Sequence, residues 1–157
     1  MLTFVRRVAV VVLSSALTPF AFAAHTHLPG HSTWTLNLGE SDFGGGVSMK
    51  SDTFVLITDT DKWGKWTDTM VDADGKTVKS SWSGAEDGKP HPFTGWAGAT
   101  YSTDPSSDVS VEKYPDGTIQ TCNFELSSDK KKFTEKCVAK SPDGKEAHQT
   151  LVYDRTK

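Results

Sequence analysis

Two cysteines, few aliphatic side chains, no surplus of positive charge and no long apolar run mark this chain of 157 residues. Each shortage excludes something. Two thiols that form no Cys-x-x-Cys argue against a redox motif or a thiolate-built zinc site. With 17 Lys and Arg against 20 Asp and Glu, scattered along the chain, there is no footprint for nucleic acid or an anionic membrane. The longest apolar stretch, residues 8–17, is shorter than the roughly 18 residues of a spanning helix, so stable membrane insertion is not expected. No Gly-x-Ser-x-Gly elbow, His-Glu-x-x-His, P-loop or Gly-x-Gly-x-x-Gly occurs. These absences lead to the expectation that the protein is not an enzyme and needs no cofactor.

The first 23 residues read as a signal peptide. Arg6 and Arg7 precede the apolar stretch, and Ala21-Phe22-Ala23 supplies a small-x-small cleavage pattern. Cleavage after Ala23, with no cysteine there to carry lipid, predicts a free periplasmic or secreted protein. Loss of the two arginines takes the net charge from −3 to −5. Residues 24–32 read as a flexible tail holding His25, His27 and His31, whose spacing suits incidental metal affinity rather than a dedicated site, so no metal ligand is assigned. Residues 33–157 form a single domain.

Four Asp-Gly pairs punctuate that domain: Asp74-Gly75, Asp87-Gly88, Asp116-Gly117 and Asp143-Gly144, separated by 13, 29 and 27 residues. Two-residue hairpin turns need positive φ, which Gly takes freely and Asp tolerates. Between the turns lie short β-rich segments, at 33–38, 53–58, 63–71, 78–83, 90–94, 99–103, 109–114, 118–126, 132–139 and 147–153. The spacing predicts an all-β fold, an antiparallel up-and-down meander of about 8–10 strands closed into a barrel, because an open meander would leave sticky edges. A two-residue turn at Asp74-Gly75 places Trp63, Val71, Val78 and Trp82 on one face, and Trp66 with Met70 on the other. A turn centred between Asp129 and Lys130 sets Leu126 opposite Phe133, Phe124 opposite Glu135, and Cys122 opposite Cys137. Outside the cytosol that facing pair should be a disulfide, stabilising the fold by roughly 3 kcal/mol on the chain-entropy model.

Trp34 stands near the start of the first strand, and Arg155 closes Tyr153-Asp154-Arg155 after the last. In this the chain resembles the calycin superfamily, the lipocalin and fatty-acid-binding barrels. The resemblance implies that Trp34 closes the barrel floor with Arg155 packed over its ring. The lipocalin Gly-x-Trp is absent, since Gly30 lies four residues before Trp34. The run Trp34-Thr35-Leu36-Asn37-Leu38 with Ser41 and Phe43, the Asp-Gly-Lys turns and the closing Tyr-Asp-Arg are also similar to a group of small exported bacterial proteins.

A barrel of this size has room for one small apolar or amphipathic ligand if side chains do not fill it. The residues expected to line it are Phe54, Leu56, Trp63, Val71, Val78, Trp82 and Trp96. The alternative is a filled barrel acting as a protein-interaction module, an inhibitor or envelope scaffold, through outward-facing Trp66 and Trp96. A carboxylate dyad assembled inside a barrel is invisible in one sequence; Glu86, Glu112, Glu125 and Glu135 could in principle provide one, although acidic residues on strands are usually solvated.

Overall fold

A computed structural model describes residues 28–60, 62–104 and 106–157. The signal peptide, its cleavage site, His25 and His27 lie outside the described residues. The ten strands are β1 (Ser32–Leu36), β2 (Met49–Thr60), β3 (Trp63–Asp72), β4 (Thr77–Ala85), β5 (His91–Pro92), β6 (Thr100–Thr103), β7 (Val109–Lys113), β8 (Ile119–Leu126), β9 (Lys132–Lys140) and β10 (Glu146–Arg155). All pair antiparallel in one sheet ordered β4-β3-β2-β1-β10-β9-β8-β7-β6-β5, and no helix occurs among the described residues. Ordered chain reaches into the stretch read as a tail: Leu28 packs against the core, and Ser32, fully buried, opens β1.

The sheet bends into a nearly closed barrel. Its two chain ends meet where β1 pairs β10, leaving β4 and β5 as the facing edges. Among the described residues a single bridge spans that seam: the Thr94 N–H donates to the Ser81 carbonyl at 2.8 Å, and their hydroxyls lie 2.7 Å apart. Gly95 makes the approach feasible, since a Cβ there would sit 2.6 Å from the Lys79 carbonyl oxygen. Inside the seam, Tyr101 of β6 packs at 5.0 Å from Trp82 of β4 and 5.5 Å from Trp66 of β3. Aromatic area thus bridges edges that few backbone hydrogen bonds join.

Three Asp-Gly pairs make hairpins of one design, which differs from the expected two-residue turn. The N–H groups of Asp72, Tyr114 and Ser141 donate to the carbonyls of Lys76, Thr118 and Lys145 at 3.0, 2.9 and 3.0 Å. Positive φ falls on the glycine alone, at 87° for Gly75, 87° for Gly117 and 84° for Gly144. Each is a three-residue loop ending in a left-handed glycine. The extra loop residue moves the β3–β4 register by one from the expected pairing, so Val71 meets Thr77 while Met70 meets Val78. A shift of one turns the strand over. Trp66 therefore pairs with Trp82 inside the barrel, and Trp63 and Val71 fall on the outer face. The fourth pair, Asp87-Gly88, makes no hairpin; Gly88 donates to the Thr103 carbonyl in the loop between β4 and β5.

The β8–β9 hairpin has the expected register, with Leu126 opposite Phe133 and Cys122 opposite Cys137, and the two cysteines are joined in a disulfide. At the barrel end nearby, Trp34 is fully buried, its ring 5.0 Å from that of Phe133, which stacks on Tyr153 at 4.5 Å. The Trp34 indole N–H donates to the Ser32 hydroxyl at 2.8 Å, and the Arg155 guanidinium lies 5.9 Å from the ring centroid.

Candidate ligand cavity

Above this aromatic floor the barrel is not filled. A cavity of about 600 Å³ runs from Phe133 and Tyr153 up to Val47, Trp96 and Pro115 in the loops at the opposite end. That lies within the roughly 300–1,000 Å³ common for small-molecule sites. Phe54, Val78 and Trp96, three of the residues expected to bind ligand, line it. Leu56 and Trp82 pack instead in the cluster with Trp66 and Phe93. Trp63 is 46% exposed and Val71 half-buried, and neither lines the cavity, because the β3–β4 register turns both outward.

Trp66 corrects a second expectation. Read from the sequence as an outward contact for a partner, it is 6% exposed and forms part of the cavity wall, 5.7 Å from Phe93. Trp96 is 41% exposed at the cavity's loop end, edge-on to Tyr114 at 5.8 Å.

The lumen is also acidic. Asp52 of β2, Asp68 of β3, Glu112 of β7 and Glu135 of β9 line it together, four acids drawn from four strands. Strand alternation explains the placement: Asp52 is on the face of Phe54, Asp68 on that of Trp66, and Glu135 on that of Phe133 and Cys137. Of the acids singled out in the sequence, Glu112 and Glu135 are in this group. Glu125 points outward and bonds Lys136 at 2.9 Å. Asp52 and Asp68 carry no local signal, since each reads as an ordinary polar residue of a strand.

Hydroxyl groups support these acids. Tyr153 donates to Asp52 Oδ2 at 2.7 Å, Ser80 to Asp68 Oδ2 at 3.2 Å, and Tyr114 to Glu112 Oε2. Burial pushes the Asp68 carboxyl up to about 9, aided by hydrogen bonding to Asp52 and by its charge. Burial pushes Glu135 up to about 8, with the charges of Glu112 and Asp52 adding to it. Burial also raises Glu112, against the pull of the Tyr114 hydroxyl. With both aspartates ionised, Asp52 Oδ1 and Asp68 Oδ1 have no donor; a proton on Asp68 supplies one to the pair. The indole N–H of Trp66, on the same wall, has no acceptor in the protein.

The disulfide lies beside one of these acids. A Glu135 carboxylate oxygen lies within 4.8 Å of both sulfurs, and among the described residues this is the one grouping of three donor atoms so close. Both sulfurs are already committed to each other.

The fold and cavity define a nearly closed, ten-stranded antiparallel barrel, an architecture consistent with that of the calycins. No protein-family model matches the chain, and neither does any curated protein.

Proposed function

We propose that the protein is an exported, lipocalin-like carrier or sensor that takes one small amphipathic ligand into its barrel and does no chemistry on it. The observation that carries this reading is the 600 Å³ lumen, walled by aromatic rings with a few buried polar groups among them. Such a wall recovers roughly 25 cal/mol for each Å² of apolar ligand surface it covers, before ordering costs. The polar groups would fix orientation. Export is supported by the disulfide, and no helix among the described residues is long and apolar enough to cross a membrane.

The interaction-module reading required a filled barrel and an outward Trp66. It keeps Trp96 as a contact and loses the rest of its support.

Titration of N-phenyl-1-naphthylamine, a neutral hydrophobic dye, tests the carrier reading. Saturable binding is expected, and Ala139→Trp, which puts an indole into the lumen, should abolish it. Unsaturable binding, or binding that Ala139→Trp leaves intact, overturns the proposal.

A further inference from the structure

Resting on the reading that the lumen holds a ligand, we propose that this ligand is an organic cation, a protonated amine with an alkyl or aryl body, whose ammonium group sits among Asp52, Asp68, Glu112 and Glu135. The sign of the lining's charged groups favours a cation. Ionisable groups that face the lumen are acids (these four, with Asp116 in the β7–β8 turn) and the phenols of Tyr101, Tyr114 and Tyr153. Among the described residues no Lys, Arg or His lines the cavity, although the chain carries 17 Lys and Arg. A fatty acid or other anion would meet no cationic side chain in the described lining, whereas a cation would gain from each of these acids that it draws into the ionised form.

The hydrogen bonding of the two aspartates points the same way. Asp52 is 4% exposed, lines the cavity, and has an Oδ1 without a donor from the protein. Asp68 Oδ1 is in the same state. Without a ligand the pair is met only by a proton held on Asp68, because buried acceptors are costly to leave unpaired; an ammonium brings three donors. It would replace the proton that otherwise bridges the two aspartates.

The spacing of the acids suits an organic cation better than a metal ion. A calcium ion takes six to eight oxygens within about 2.6 Å, whereas among the described residues no three lumen carboxylates come within 4.8 Å of one another. Charge spread around a wide lumen suits a soft, extended cation. The walls between the acids are aromatic faces, Trp66, Tyr101, Phe54 and Phe133 among them, which attract alkylammonium groups through their quadrupoles.

Calorimetric titration with n-octylamine, 1-octanol and octanoate, matched in length and differing in charge, tests this directly. Octylamine should bind about tenfold or more tighter than octanol, with octanoate weaker than both. Asp52→Asn and Glu135→Gln should each remove about tenfold of the octylamine affinity and leave octanol unchanged, with thermal melts confirming that both variants fold. Octanol or octanoate binding as tightly as octylamine overturns the cation inference while the carrier reading stands. Saturable binding of calcium chloride that competes with octylamine also overturns it, in favour of a metal site. If none of the three binds and the naphthylamine dye does not either, the carrier reading itself falls.

Discussion

The Tyr153 hydroxyl donates to Asp52 Oδ2 at 2.7 Å, tying β10 to β2 across the inside of β1. Both groups are buried, and the tyrosine ring is independently held by stacking on Phe133 at 4.5 Å. Tyr153→Phe therefore removes the hydrogen bond and little packing. A carboxyl left without this donor should cost about 1–3 kcal/mol of stability, read from urea denaturation. A loss below about 0.5 kcal/mol would show that water or another group takes over the hydroxyl's place.

Burial of acids makes stability depend on pH in an unusual direction. Glu135 is raised from 4.5 to about 8 and Asp68 from 3.8 to about 9. Between its ordinary and raised values, each group keeps a proton in the folded protein that the unfolded chain has released. Stability then falls as pH rises through that window, by about 1.4 kcal/mol per pH unit for each such proton, and levels off above it. Asp87, Asp129 and Asp143 are lowered by surface hydrogen bonds, so their contribution is lost only under more acidic conditions. Urea midpoints should be higher near pH 5 than near pH 8, and Glu135→Gln should flatten the difference. A wild-type curve that rises across this range would contradict the buried placement of these acids.

The strand content, the antiparallel order and the Cys122–Cys137 pairing were legible because they depend on local chemistry: turn residues, alternation, and one hairpin whose register its loop length sets. The β3–β4 face was misread for a related reason. Asp74-Gly75 marks a turn equally well in a two-residue or a three-residue loop, and one residue decides whether Trp63 or Trp66 faces inward. The acidic lumen was hidden more deeply. Asp52, Asp68, Glu112 and Glu135 come from four strands, and only closure of the sheet makes them neighbours. Nothing within any one strand distinguishes Asp68 from Asp72, which caps a turn by accepting the N–H groups of Asp74 and Lys76.

The disulfide joins directly opposed residues of a hairpin, with a sequence separation of 15. Seven other paired positions hold those strands together, so the bond is not what sets their register. The double variant Cys122→Ala, Cys137→Ala should retain the barrel and lose roughly 3 kcal/mol, measured by guanidinium denaturation. Both cysteines are buried, so reduction of the native protein by dithiothreitol should proceed no faster than unfolding. Rapid reduction under native conditions would mean that the reagent reaches the sulfurs without global unfolding.

Lys130 offers a stabilising substitution. It adopts φ of 57°, one of two non-glycine residues with positive φ among those described, in the turn between β8 and β9. An L-residue with a Cβ pays about 1–2 kcal/mol for that conformation, while glycine enters it freely at the expense of a more flexible unfolded chain. The side chain is exposed, and the turn's own hydrogen bonds use the Lys130 backbone N–H, which donates to the Ser127 carbonyl at 2.9 Å. Lys130→Gly retains that donor and removes the strain. Net stabilisation of about 0.5–1 kcal/mol should follow, seen as a higher urea midpoint with unchanged slope. Lys130→Val should move the midpoint the other way, since β-branching makes the left-handed region still less accessible. If Gly and Val shift the midpoint in the same direction, the turn does not hold this residue in the left-handed conformation in solution, and the register that sets Cys122 opposite Cys137 must come from the strands alone.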